Sequence, residues 1–442
     1  MNFRHFKTII GLGLPLMIGS VLQILMHTMD VYFISGLGSD FVAASSMGAA
    51  IAGVLFVFSM LVSTGAVALV ARKYGGNDMN AVKSYGMSSV ILSLILGVII
   101  GLVAVIFSSQ IIGIYDPEPS LFSIIKDYVD ILFAFIPLLF LGTTLRSVIQ
   151  SMGDTKGPLY VFGTANLLNI VLDYIFIVHF HWGIKGAAWA TVISQTFASL
   201  LLLHMFIKSM YGYKCFIRSI HISISEYIDI LSIGFWACIQ SIARPITGLI
   251  MMRIVYDVAG IDGSAAFGIG QNVINYFFIV LSGLSGAITI LVGQKIGENN
   301  IEEAKGIVKE GVVYSYINLI IFSIPYMIFT EQLFMLFHPN ETVLAYGVSY
   351  IRTIFVGFII LGHIFIYRGA FAGAGDTFPP MIAALTANVV IKLTTSVIFT
   401  SFLNLGIKGV WIAIMLSIFA EGILMMNFYK SNRLYTKVIG NH

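Results

Sequence analysis

Long apolar runs, each broken by a short cluster of Gly, Pro, Asn or charge, make up almost the whole chain. About twelve of them occur, near 8–35, 41–71, 84–108, 121–150, 157–180, 184–208, 229–257, 264–293, 308–330, 343–373, 379–403 and 407–429. The breaks include RKYGGND, YDPEPS and GENNIEEAK. A helix needs roughly 20 apolar residues to cross a bilayer, and each run is long enough. Alternation at period two, the mark of a β-barrel, is absent. The pattern predicts an all-α membrane protein with twelve transmembrane helices. Composition agrees: 58% of the 442 residues are hydrophobic and 10% are charged, against about 25% charged in soluble domains.

The two halves resemble each other. RSVIQSMGDTKGP starts at Arg146 and RGAFAGAGDTFPP at Arg368, an offset of 368 − 146 = 222. At the same offset Lys73 and Lys83 match Lys295 and Lys305, Tyr128 matches Tyr350, and TAN at 164–166 matches TAN at 386–388. GIKG recurs at 183 and 406, one residue out of register. Two copies of six helices follow. Six being even, both copies enter from the same side, which predicts a parallel repeat of two pseudo-symmetric lobes. The expected division is an N-lobe at 1–207, a linker at 208–228 and a C-lobe at 229–442. The opening stretch MNFRHFKTIIGLGLPLMIGS has the look of a signal peptide, but its counterpart near 229–257 marks it as a structural helix. Two similar bundles around a central V-shaped chamber suit alternating access, so a transporter is the leading class.

Charge refines this picture only in part. A formal net charge of +3 gives no reason to expect a nucleic-acid partner, and the two cysteines, Cys215 and Cys238, form neither a disulfide framework nor a metal-ligand spacing. With the N-terminus inside, most Lys and Arg fall in cytoplasmic segments, with Lys185 and Lys408 as exceptions, so both termini are expected on the cytoplasmic side of the plasma membrane. The working unit is expected to be a monomer surrounded by lipid bilayer.

Candidate chemistry comes from polar residues inside the runs. In NLLNIVLDYIFIVHF, residues 166–180, Asn166, Asn169 and Asp173 fall at i, i+3 and i+7, on one helix face. Asp30, in QILMHTMDVYFISG, is the other clear intramembrane carboxylate of the first half. At the repeat offset, Asp30 matches Met252, Asn169 matches Ile391 and Asp173 matches Thr395. A requirement of the fold should recur in both copies, and this cluster does not. The bland account is a pair of buried, hydrogen-bonded packing residues; the sharper one is a cation site, since ionisable groups at membrane depth are functional candidates by default. Two adjacent carboxylates suit either H⁺ or Na⁺, and Asn169 does not choose between them.

The repeated Arg…Gly-Asp-Thr motif, the spacing of Pro15 to Asp30 in the first helix and the Asn169-to-Asp173 pair together resemble the MATE multidrug and toxin extrusion transporters, most closely their prokaryotic DinF-like branch. The resemblance covers essentially the whole chain. It implies cation-coupled export of small organic, mostly cationic amphipathic compounds, with no enzymatic activity and no cofactor beyond the coupling ion, H⁺ or Na⁺. It also implies a cation site at Asp30, Asn169, Asp173 and Thr191, which is where Na⁺ would bind, and a bend of helix 1 at Pro15. A static kink is the plain alternative for Pro15. Another branch of the family carries acidic ligands in its second half, where this chain offers Gln240, Leu361 and His363.

Arg244 and Lys392 are also placed deep. Pairing with carboxylates such as Glu421, or with backbone carbonyls, is one account; a basic cavity wall suited to anionic or lipid-like substrates is the other. The second account favours a lipid or lipid-linked oligosaccharide flippase of the same wider superfamily. Arg146 and Arg368 are expected near the cytoplasmic ends of helices 4 and 10. Finally, Tyr256-Asp257 and Gly373-Ala374-Gly375-Asp376 spell the YD and GxGD pair of intramembrane aspartyl proteases, but the predicted topology puts the two carboxylates at opposite membrane faces.

Overall fold

The computed structural model describes residues 4–210, 223–337, 339–431 and 434, and among these there is helix and no strand. Cys215 and most of the expected linker lie outside the described residues. Among the described residues, eleven helices are long and apolar enough to cross a membrane, twelve when one bent pair counts as a single span. In chain order the spans are α1 (Phe6–Ser35), α2 (Ser39–Gly75), α3 (Met79–Ile106) and α4, the bent pair Pro119–Ala134 and Ile136–Ser151. They continue with α5 (Lys156–His179) and α6 (Ile184–Met210). The helical segment Ile224–Gly297 is interrupted at Gly260 (φ 61°, ψ −151°), giving α7 (224–259) and α8 (261–297). The last four are α9 (Ile301–Ile328), α10 (Glu341–Gly373), α11 (Phe378–Phe402) and α12 (Gly406–Lys430).

Local chemistry explains the breaks. The two pieces of α4 meet at 53° because Pro137, in the second piece's first turn, lacks the N–H that would carry the helix through Phe135. Asp78 and Asn300, partners at the repeat offset, cap α3 and α9 by accepting from the backbone N–H of Ala81 and Glu303. The Gly-Asp-Thr turns place Gly153 and Gly375 at φ 95° and 76°, a left-handed conformation that glycine adopts at the least cost. Other left-handed residues pair in the same way: Gly38 with Gly260 and Asn77 with Asn299 at the original offset, then His181 with Asn404 and Gly183 with Gly406 at one more. The repeat is thus written in the backbone, and it slips by one residue in its second half.

The described residues form two compact units, Ile18–Phe235 and Met1–Met17 with Trp236–His442. Compared with lobes at 1–207 and 229–442, the leading turns of α1 and α7 have changed sides. Close backbone approach accounts for both exchanges. In one unit a Cβ on Gly283 would stand 2.3 Å from Met17 Cγ and 3.1 Å from the Gly13 carbonyl oxygen, and Glu310 accepts from the His5 N–H at 3.0 Å. In the other, a Cβ on Gly65 would stand 2.2 Å from the Ile230 carbonyl oxygen. There the hydroxyls of Ser84 and Ser88 donate to Glu226, and Tyr85 donates to Asp229 at 2.8 Å. Outward helix faces carry large exposed apolar side chains, such as Ile99, Leu102 and Ile106 on α3, as a surface solvated by lipid requires.

Candidate functional site

In the unit Ile18–Phe235, α1, α5 and α6 bring four of the predicted residues together. Asp30 comes from α1, Asn169 and Asp173 from α5, and Thr191 from α6. Asp30 is 6% exposed, while Asn169 and Asp173 are fully buried. Thr191 Oγ1 donates to Asp30 Oδ2 at 3.5 Å, and Asp30 lies against Asp173 and Asn169. Among the described residues, no hydrogen bond of ordinary geometry satisfies the rest of the cluster. Asp30 Oδ1, both side-chain polar atoms of Asn169 and both carboxylate oxygens of Asp173 are buried and unpaired. Each such atom costs about 1–3 kcal/mol, and two buried carboxylates side by side disfavour double ionisation unless a positive charge is shared between them. The donor set, mostly carboxylate and amide oxygen, fits a proton or a hard monovalent cation. Directly after Asp173 the α5 ladder widens to a π-turn over Tyr174–His179, an irregularity frequent at functional sites.

Asp30 and Thr191 also face a cavity of about 500 Å³, whose wall includes Gln23, Tyr128, Arg146 and Gln195. The cluster therefore has a buried back, Asn169 and Asp173, and a front that borders the cavity. Tyr128 lies close to both carboxylates; its ring fits because Gly48 leaves room, a Cβ there meeting the ring at 2.6 Å. Tyr128 was visible in the sequence only as the repeat partner of Tyr350. Arg146 was expected at the cytoplasmic end of helix 4. It stands five residues before the end of α4 at Ser151 and also lines this cavity, its guanidinium 4.9 Å above the Phe162 ring. Asn166 shares the α5 face, but its amide donates to the Leu22 carbonyl at 2.8 Å and ties α5 to α1. Pro15 sits inside α1, which stays helical through it; the chain passes from one unit to the other just beyond, at Met17–Ile18.

The other unit holds a counterpart of a different kind. A π-turn at Thr386–Ile391 in α11 absorbs one extra residue, so beyond it the repeat offset grows by one. The counterparts of Asn166, Asn169 and Asp173 are therefore Asn388, Lys392 and Ser396, in place of the Ile391 and Thr395 expected for the last two. Burial supports the new register: Asp173 and Ser396 are both fully buried, whereas Thr395 is only partly buried. Lys392 Nζ donates to Asn388 Oδ1 at 2.6 Å, Asn388 Nδ2 donates to Glu421 Oε2 at 3.1 Å, and Arg244 pairs with Glu421 Oε1 at 3.2 Å. All four side chains line a cavity of about 450 Å³.

The remaining candidates have plainer settings. Gln240 donates to the Pro380 carbonyl, and His363 shares a hydrogen bond with Tyr316. Leu361 is buried core. Asp257 pairs with Arg253 one helical turn earlier, and the Asp376 N–H closes the repeated turn by donating to the Phe371 carbonyl.

Comparison with known proteins adds an independent line. The family model described as MatE matches residues 15–175 and again 237–398. The second stretch runs one position longer than the first, the same slip seen in the backbone. The chain is 27% identical over 432 residues to a protein of Thermotoga maritima named probable multidrug resistance protein NorM, covering 97% of this chain and 92% of the relative. It is 24% identical to the multidrug export protein MepA of Staphylococcus aureus, covering 92% and 89%. Among solved structures, a MOP superfamily transporter from Pyrococcus furiosus superposes with a TM-score of 0.91 at 23% identity, over 96% of this chain and 95% of that one. An outward-facing multidrug resistance MATE family transporter does so with 0.90 at 23% identity, over 97% and 96%.

Proposed function

The chain belongs to the MATE family of multi-pass membrane transporters, which are not enzymes, and from that premise we propose that it is a cation-coupled antiporter exporting small organic, cationic amphipathic compounds by alternating access. The observation that carries this reading is the double placement of Asp30 and Thr191, which belong both to the unpaired carboxylate cluster and to the cavity wall. A cationic substrate in the cavity and a coupling ion in the cluster draw on the same negative charge. Each then weakens the other's binding, and linkage makes the effect reciprocal. The coupling ion, H⁺ or Na⁺, would be held by Asp30, Asn169 and Asp173, with the Thr191 hydroxyl completing the oxygen set. One charge moving inward down about 150 mV releases roughly 3.5 kcal/mol, enough for about a 300-fold gradient of a neutral solute.

The plasma membrane is the proposed location, with both termini cytoplasmic, because Lys and Arg concentrate in the loops that this orientation places inside. A flippase drew its support from Arg244 and Lys392 as unmatched cations; Arg244 is matched by Glu421, and the relatives named above are multidrug proteins. The deciding experiment follows efflux of a fluorescent organic cation from proteoliposomes under imposed pH and Na⁺ gradients. Efflux driven by one of the gradients, and lost in Asp30→Asn and Asp173→Asn, is expected. Efflux indifferent to both gradients rejects the coupling.

A further inference from the structure

The cavity of the unit that contains Trp236–His442 holds none of the Asp30 cluster, yet its charges form an ordered chain. Glu421 is nearly saturated, one oxygen taken by Arg244 and the other by Asn388. Asn388 in turn uses its oxygen for Lys392 and its amide for Glu421 and the Ala384 carbonyl. Lys392 has three N–H donors and one described acceptor, Asn388 Oδ1. Among the described residues no carboxylate lies within ion-pair distance of it. Two cations and one carboxylate thus border a cavity of about 450 Å³, within the range of sites that take drug-sized molecules. The rest of the wall is largely apolar and aromatic, with Phe267, Phe278 and Phe358 among its residues.

A net positive charge held at membrane depth is costly unless an anion approaches it. We propose that this cavity binds an amphipathic organic anion, a carboxylate, sulfonate or phosphate head on an apolar body, with the head at Lys392 and the body against the phenylalanines. Asn388 holds the Lys392 ammonium in place, and Glu421 keeps Arg244 from competing for the same head group. The proposal stands apart from cation coupling, since none of these residues belongs to the Asp30 cluster.

The test is equilibrium binding in phosphatidylcholine nanodiscs of three probes that share a dansyl ring system: dansylglycine, its neutral amide and cationic dansylcadaverine. Energy transfer from tryptophan, corrected with empty nanodiscs, reports occupancy; Trp411 stacks on Phe267 of the cavity wall at 6.0 Å between ring centroids. Dansylglycine is expected to bind about tenfold more tightly than its amide, as one charge-assisted contact allows. Lys392→Gln should erase the preference, and Lys392→Arg should keep it. Equal affinities for anion and amide in the wild-type protein overturn the proposal without any variant, as does a preference that survives Lys392→Gln. Repeating the titration in phosphatidylglycerol nanodiscs identifies the source of the anion. Suppressed binding assigns the site to a lipid head group, and undiminished binding assigns it to a soluble organic anion. Failure of the efflux experiment at Asp30 and Asp173 would not alter any of these outcomes.

Discussion

Two helices made on one plan, α5 and α11, carry opposite chemistry on the same face. Asn166, Asn169 and Asp173 on α5 correspond to Asn388, Lys392 and Ser396 on α11 once the π-turn at Thr386–Ile391 is counted. The asparagine is common to both, but its use differs. Asn166 bonds a backbone carbonyl of α1, whereas Asn388 links a lysine to a glutamate. What both copies keep is backbone geometry: the capped helix starts, the Gly-Asp-Thr turns and the left-handed glycines. What diverges is the polar content of the cavity wall. Steric constraints act on both copies of the fold, whereas a polar side chain on a cavity wall is free to differ between them.

The largest effect expected is from giving α5 the residue of its counterpart. Asp173→Ser should lower gradient-driven efflux by about a hundredfold, the worth of a few kcal/mol of intramembrane charge interaction, measured in proteoliposomes with protein content matched. If efflux survives, the two helices are interchangeable in function and the contrast between them is empty. In the other unit, Glu421→Gln leaves Arg244 and Lys392 without a counter-charge. A loss of about 2–3 kcal/mol in stability is expected, at the low end for a buried pair because the Arg244 side chain is 35% exposed. Thermal unfolding in detergent reads it, and Arg244→Gln combined with Glu421→Gln should recover much of the loss.

A smaller effect tests the shared backbone plan. Gly48 and Gly270, partners at the repeat offset, each admit the ring of a tyrosine, Tyr128 or Tyr350, at 2.6 Å and 2.3 Å from where a Cβ would stand. Alanine at either position should destabilise by about 1–3 kcal/mol through overpacking, and by similar amounts in both units. A large inequality in unfolding temperature would show that the copies are not packed alike. Smallest is Asn166→Ala, which removes one hydrogen bond to the Leu22 carbonyl and should cost about 1 kcal/mol of stability while efflux persists. Loss of efflux with unchanged stability would move Asn166 from a helix tie into the ion site.

Much of this was legible along the chain. Twelve apolar runs and the Gly-Asp-Thr repeat predicted the spans, and the spacing on α5 put Asn169 and Asp173 on the one face that meets Asp30. The one-residue slip was visible in GIKG, but its location was not. Placed after position 391 it matches Asn169 with isoleucine; placed within the π-turn it matches Asn169 with lysine, and burial was needed to decide. The place of Arg146 near the end of helix 4 was legible too, but the bend at Phe135 and the cavity that its side chain lines were not. The exchange of leading turns between units depends on Gly13, Gly65 and Gly283, which look unremarkable among 43 glycines.

By itself the sequence determined that this protein lives in lipid, how many times it crosses, and that one plan is used twice. Hydropathy, helix punctuation and repetition are properties of neighbouring residues and survive reading in one dimension. Tertiary structure decided which polar atoms meet, which are left without partners, and which of them border a cavity. Asp30 and Asp173 are separated by most of a six-helix bundle in the chain, and they become neighbours only because folding brings α1 beside α5 and buries both carboxylates.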